Sequence, residues 1–381
     1  MDLMDVGRIV VGLVLLVAGG ELLVRGASAL ARRVGISSLV VGLTVVSAAT
    51  SAPELAVTVG AVLRDEPGLA VGNVVGSNIV NVLLILGLSA LVLPLAVKQR
   101  LVRFDLPLMV VLSIGLLLVS LDGRISAVDG SILLSAVVVH TVLTVVVSRR
   151  GARVPAAAPP GGRGAGDAAG GAEDAGTEDD PSPASVPRSV LLVVLGIASL
   201  VVGATLLVEG AVYIATTLGV SSLVVGLTVV ALGTSLPELA TSVIAVRRGE
   251  RDLAVGNVVG SNIFNIGVVL GLPALISREG IPVSSAAVAF DLPVMLAAAV
   301  ALLPIAFTGF AVARWEGALF VGLYLAYTAY VVLAATAHDA LEGFTAAMAW
   351  FVLPLLAVTL VAFTAYEIGL RRGRRGPGLS P

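Results

Sequence analysis

Two glutamates of this chain stand inside apolar runs and share the same neighbours. Glu54 lies in TSAPEL and Glu238 in TSLPEL, so each follows a Thr-Ser pair and a proline. On a helix, Thr50 and Ser51 fall one turn before Glu54, and Thr234 and Ser235 one turn before Glu238, so their oxygens share a face. A second motif, GNVVGSN, leads to Ser77 and Asn81 in one copy and Ser261 and Asn265 in the other, each pair at i, i+4. Pro53 and Pro237 donate no backbone hydrogen bond and crowd the preceding turn. Each helix should break there and free carbonyls near Ala49-Thr50 and Gly233-Thr234. The donors are carboxylates, hydroxyls, amide oxygens and carbonyls. Such all-oxygen sets suit hard cations such as Ca²⁺ and Na⁺. Two carboxylates disfavour an anion, and so many polar groups disfavour an apolar substrate. The chain has no cysteine and only two histidines, which excludes a disulfide framework and a thiolate or histidine metal centre.

The elements that position these residues are duplicated. Gly35–Leu91 and Gly219–Leu275 align without a gap at an offset of 184 residues, with 39 identities in 57 positions, too many for shared apolar composition to explain. An internal repeat of this kind sets the architecture. FDLP recurs at Phe104–Pro107 and Phe290–Pro293, so the duplication extends beyond the closely matching part.

The 381 residues are 57% hydrophobic and 13% charged, with a mean hydropathy of +1.06. Soluble domains carry about 25% charged residues. Apolar runs of this length read as membrane-spanning helices. Eleven are expected, at roughly 6–24, 37–63, 69–96, 104–121, 126–148, 188–208, 220–246, 253–277, 287–308, 313–335 and 345–369. The first lacks a basic leader and has its arginines behind it, so it reads as a retained helix. Residues 149–187, rich in Gly, Ala, Pro and acids, read as a disordered cytoplasmic linker. The chain then divides into a first five-span half at 1–148, the linker, a second half at 188–335, and an extra helix with a basic tail at 336–381. With the N-terminus outside and the C-terminus in the cytoplasm, 19 of the 23 Lys and Arg lie inside, leaving only Arg8, Arg64, Arg124 and Arg278 outside. An odd number of spans per half inverts the second half. The fold class is therefore an all-α polytopic membrane protein built of two inverted five-helix repeats plus one helix, in the cell (inner) membrane. Inverted repeats of this kind form transporters with a site near the midplane. The net charge of −2 offers no nucleic-acid footprint.

The motif pair TS-x-PEL and GN-x-x-GSN-I-x-N, duplicated in inverted halves around an acidic linker, resembles the α-repeats of the sodium/calcium exchanger family, and looks closest to its prokaryotic members. The resemblance is close over the two repeat segments and topological elsewhere. It implies that Glu54, Thr50 and Ser51, with Glu238, Thr234 and Ser235, line Na⁺ and Ca²⁺ sites. It also implies backbone carbonyls at Ser47 and Ala231, further ligands at Ser77 with Asn81 and Ser261 with Asn265, and a moving gate made by spans 1 and 6. Asn265 departs from the pattern, because several members of the family have Asp there. Two carboxylates balance one Ca²⁺ or two Na⁺. Ala49 stands where the second copy has Gly233, which implies a stiffer first break, and the eleventh span adds to the usual ten.

Other polar residues carry blander readings. Asn78 and Asn262 suit hydrogen bonds between helices, and the pairs Gly72/Gly76 and Gly256/Gly260 suit close packing. Glu21 and Glu209, on spans 1 and 6, fit either a gate role or a paired or snorkelling charge. Asp105 and Asp291 read as helix N-caps before Leu-Pro, and His140 as a satisfied core histidine. The linker acids Glu173, Asp174, Glu178, Asp179 and Asp180 read as a solvated tether, and Trp315 and Trp350 as interfacial anchors. The function expected is Na⁺/Ca²⁺ antiport by alternating access, with no covalent chemistry and no cofactor. H⁺-coupled or K⁺-dependent exchange at the same site is the alternative, and a channel or non-transporting scaffold the rival of another class. The partners are the transported ions and the lipid bilayer; a monomer is compatible with the sequence, which does not give the oligomeric state.

Overall fold

The structure, a computed structural model, describes residues 3–152, 186–219, 222–225, 228–229, 231–277 and 279–373. Among them nine helices are long and apolar enough to cross a membrane. They are α1 (Leu3–Val34), α4 (Pro67–Val92), α5 (Leu101–Val119), α6 (Ala127–Ala152), α7 (Val186–Thr217), α9 (Arg251–Ile276), α10 (Ala287–Phe307), α11 (Arg314–Ala335) and α12 (Ala340–Gly369). A tenth span is a bent pair, α2 (Ser38–Thr50) and α3 (Ala52–Leu63), meeting at 43°. Its counterpart in the second half is described in pieces, Ser222–Val225, Ala231–Gly233 and α8 (Leu236–Arg247). Positions 226, 227 and 230 of that stretch lie outside the described residues. So do 153–185, with the expected linker and its acids, Arg278 and the tail from 374.

The halves are inverted, and backbone pairing alone proves it. β1 (Leu95–Ala96) pairs antiparallel with β4 (Ala311–Val312), and β2 (Arg124–Ile125) with β3 (Ile281–Pro282). β1 and β2 flank the single helix α5, so the two ribbons lie at opposite ends of the molecule. β1 and β3 occupy equivalent places after α4 and α9, yet each sits in a different ribbon.

The equivalent helices α1 and α7 run antiparallel along a track of small residues. Gly12, Gly19 and Gly26 face Gly203, Gly196 and Ser189, with numbers rising on one helix as they fall on the other. A Cβ added at Gly19 would lie 2.8 Å from the carbonyl oxygen of Gly196, and one at Gly196 2.6 Å from the amide nitrogen of Leu23. Without side chains the two backbones touch, and dispersion between them replaces a hydrophobic drive that lipid cannot supply.

α4 and α9 form the centre, where most of the residues are buried. Gly256 and Gly260 on α9 meet the backbone of α2 at Leu39 and Leu43, a packing role as expected. Gly72 and Gly76 meet no described residue; the segment that would face them by symmetry is incompletely described. α12 is almost wholly peripheral: Trp350 is exposed, and Trp315 of α11 packs on Phe363 with ring centroids 5.7 Å apart.

Candidate cation site

The bend between α2 and α3 is built by its sequence. Pro53 and Pro237 fall in the first turn of α3 and α8, where the missing N–H costs least. Ser51 and Ser235 leave helical geometry at ψ 6° and 5°. Glu54 and Glu238 then sit in the first turn of a new helix, whose N-terminal dipole favours a carboxylate. Both are buried.

The halves exchange hydrogen bonds at this level. The Ser51 hydroxyl donates to Glu238 Oε1 at 3.3 Å, and Ser235 to Glu54 Oε1 at 3.5 Å. The Thr50 hydroxyl lies 3.4 Å from the Ser47 carbonyl and 3.2 Å from Asn257 Oδ1. Its equivalent Thr234 reaches Asn73 Oδ1 at 3.4 Å. Asn73 Nδ2 donates to the Glu54 carbonyl at 3.0 Å and to Thr58 at 2.9 Å, and Asn257 Nδ2 to Ser242 at 3.1 Å. Asn73 and Asn257 thus hold the threonines across the repeat interface. Neither asparagine stands out in the sequence as part of the site, although the GN of GNVVGSN stands in each copy.

On the central helices Asn81 Nδ2 donates to Asn262 Oδ1 at 3.5 Å and Asn265 Nδ2 to Asn78 Oδ1 at 3.1 Å. Asn78 and Asn262 therefore do bond between helices, and they take up the amide hydrogens of Asn81 and Asn265. Those two residues lie in π-helical turns, Val80–Leu86 and Asn265–Leu270, a distortion frequent at functional sites.

Twelve buried side-chain oxygens have no hydrogen-bond partner among the described residues, and six of them form three symmetry-related pairs on the repeat motifs: Glu54 and Glu238 Oε2, Ser77 and Ser261 Oγ, Asn81 and Asn265 Oδ1. An unsatisfied buried polar atom costs about 1–3 kcal/mol, more when charged. A cation is one kind of partner that can offset such costs. Among the described residues no group of three or more His, Cys, Asp and Glu side chains exists, so the charge available is that of two carboxylates. Thr234 is the half-buried member of the set. Ala231 opens the short helix Ala231–Gly233, and its side-chain surroundings lie outside the described residues.

A cavity of about 240 Å³ reaches Thr234 and Pro53 along α7, past Thr205, Val208 and Glu209. It lies toward the end of the molecule where α1 begins. At the other end Glu21 of α1 binds Arg25 at 2.9 Å and Arg248, beyond α8, at 2.6 Å through its Nε. Arg32 lies 3.8 Å from Glu250. Glu21 is thus a paired charge that ties α1 to the site-bearing helices.

Asp105 and Asp291 are not N-caps. Each ends a π-helical turn that runs unbroken into the next helix, with Leu106 N–H bonded to Leu101 and Leu292 N–H to Ala287, five residues back. Buried Asp105 instead faces His140 Nε2 at 3.3 Å, and Asp291 accepts from the Tyr327 hydroxyl at 3.1 Å. The contact between His140 and Asp105 is one of proximity, since neither Asp105 carboxylate oxygen has a hydrogen-bond partner among the described residues.

Fold and site together define a polytopic membrane protein of two inverted repeats with oxygen donors at their interface. Residues 5–146 and 188–333 match the sodium/calcium exchanger protein family, and the chain belongs to it. It is a transporter of the cation/calcium exchanger class, not an enzyme. It is 40% identical over 283 residues to the inner membrane protein YrbG of Escherichia coli, covering 72% of this chain and 81% of that one. It is 32% identical over 342 residues to the sodium/calcium exchanger MaX1 of Methanosarcina acetivorans, covering 84% and 96%. The solved sodium-calcium exchanger NCX_Mj, soaked with 2.5 mM Na⁺ and 0.1 mM Ca²⁺, superposes with a TM-score of 0.69 at 31% identity, covering 85% of this chain and 97% of that one.

Proposed function

We propose that this protein exchanges Na⁺ for Ca²⁺ across the inner membrane by alternating access, and that Glu54, Glu238, Thr50, Thr234, Ser51, Ser235, Ser77, Ser261, Asn81, Asn265 and the carbonyls of Ser47 and Ala231 bind the ions. The observation that carries this reading is the symmetric set of six buried oxygens without hydrogen-bond donors. Ca²⁺ takes about 6–8 oxygens, and two carboxylates neutralise one Ca²⁺ or two Na⁺. The names of MaX1 and NCX_Mj support the ion pair, and that of YrbG the inner membrane. The arginine distribution supports an outer N-terminus and a cytoplasmic C-terminus. Residues 149–187 join halves 1–148 and 188–335, with 336–381 appended.

Transport needs two states of one contact. α1 and α7 form the gate pair, and their side-chain-free track lets them move together across the bent helices. In the state described, the cavity gives access at one end while Glu21, Arg25 and Arg248 close the other. Purified protein in vesicles should accumulate radioactive Ca²⁺ when an outward Na⁺ gradient is imposed. Uptake that ignores Na⁺ and follows a pH gradient would replace Na⁺ by H⁺ at the same site; a requirement for K⁺ on one side would add K⁺. Flux that needs no counter-ion would make the protein a channel.

A further inference from the structure

The two ends of the gate pair carry opposite charge at equivalent positions. At the offset of 184, Arg25 of α1 corresponds to Glu209 of α7, and Glu21 to Thr205. Arg25 shares Glu21 with Arg248, so this cluster keeps a net positive charge. On the other side Arg64, the equivalent of Arg248, lies 3.6 Å from Glu66 instead. Glu209 is exposed, makes no hydrogen bond or ion pair with a described residue, and lines the cavity that ends on Thr234 and Pro53. A carboxylate within a spanning helix is costly unless it meets a partner or water, and such residues mark ion pathways. In a cleft with low-dielectric walls a single charge concentrates counter-ions at the mouth.

The geometry points to Glu209 as a cation-recruiting residue on the gate helix, a transient binding site for Na⁺ and Ca²⁺ on their way to the buried oxygens. The inference rests on reading those oxygens as the transport site. It makes the two faces unequal: one mouth attracts cations, while at the other the acid is consumed in an ion pair and an arginine takes its place. Ions released toward the Arg25 mouth meet no such trap.

The native chain has no cysteine, so an introduced one is the sole thiol. Thr205→Cys, one turn from Glu209, should react faster with a cationic than with an anionic methanethiosulfonate, by about fivefold after correction for a free thiol. Adding Glu209→Gln should bring the ratio to about one, and Glu209→Asp should preserve it. Val57→Cys, on the facing wall, repeats the measurement if Thr205→Cys fails to fold. In vesicles Glu209→Gln should raise the half-saturating Ca²⁺ concentration severalfold from the cavity side, more than it lowers the maximal rate. The same reagent ratio with Gln as with Glu overturns the proposal, as does a half-saturation equally raised by Asp. If the native protein moves no Ca²⁺ under any gradient, the reading of the buried site fails, and the reagent ratio alone decides for or against Glu209.

Discussion

Glu54 and Glu238 each keep one oxygen in a hydrogen bond from the opposite half and the other without a donor. Removing the carboxylate that pairs with a buried cation costs about 3–5 kcal/mol. At about 1.4 kcal/mol per tenfold, that is a loss of roughly two to three and a half orders of magnitude in affinity. Glu54→Gln and Glu238→Gln should each abolish Ca²⁺ uptake at micromolar Ca²⁺ while the protein still elutes as a folded species. Normal uptake in both would refute the site. Asn265→Asp adds a third carboxylate, so it should tighten Ca²⁺ binding and raise the Hill coefficient for Na⁺; a flux unchanged in both respects would remove that residue from the ion shell. Asn73→Ala and Asn257→Ala delete neutral hydrogen bonds worth about 0.5–1.5 kcal/mol, and should weaken half-saturation by about three- to tenfold. The ligand set was legible because the same residue types stand at the same spacing twice. Asn73 and Asn257 escaped notice because an asparagine one turn from a ligand resembles any interhelical bond until its partner across the interface is known. Asp105 and Asp291 misled because Leu-Pro after Asp imitates a helix start; a π-helical turn lets the helix pass through the proline instead.

At the scale of elements, the gate pair depends on glycine. Gly19 and Gly196 leave no room for a side chain, and overpacking costs about 1–3 kcal/mol. Gly19→Leu or Gly196→Val should leave Ca²⁺ binding in detergent within about twofold, because neither residue touches the site, yet slow exchange strongly by forcing α1 and α7 apart. Unaltered exchange would show that the track has no part in the motion. These glycines recur every seventh residue on both helices, a pattern present in the sequence but given no role there, since spacing alone does not reveal which helix lies opposite.

At the scale of the whole molecule, inversion rests on the two ribbons, and the direction of the molecule on the arginines. A cysteine replacing Asp122, in the connection before β2, should react with an impermeant reagent applied to intact cells. One replacing Lys98, after β1, should react only after the cells are opened. The reverse pattern would turn the protein over without changing its fold. The ion pair between Lys98 and Asp252 joins the halves on the face the arginines assign to the cytoplasm.

The sequence by itself determined the repeat and the residue types at its centre, because a carboxylate or a broken helix in an apolar run is expensive enough to be conspicuous, while its inversion was an expectation that the two ribbons establish. Which oxygens are tied up by donors and which are left over was decided only by tertiary structure, since apart from the Thr50 bond to the Ser47 carbonyl within α2 these bonds join residues roughly 150 to 220 positions apart or run between neighbouring helices. The same holds for the difference between the two ends. Arg25 and Glu209 are equivalent in the repeat, and only packing shows one sharing Glu21 with Arg248 and the other, with no ion-pair partner among the described residues, lining the cavity that reaches Thr234.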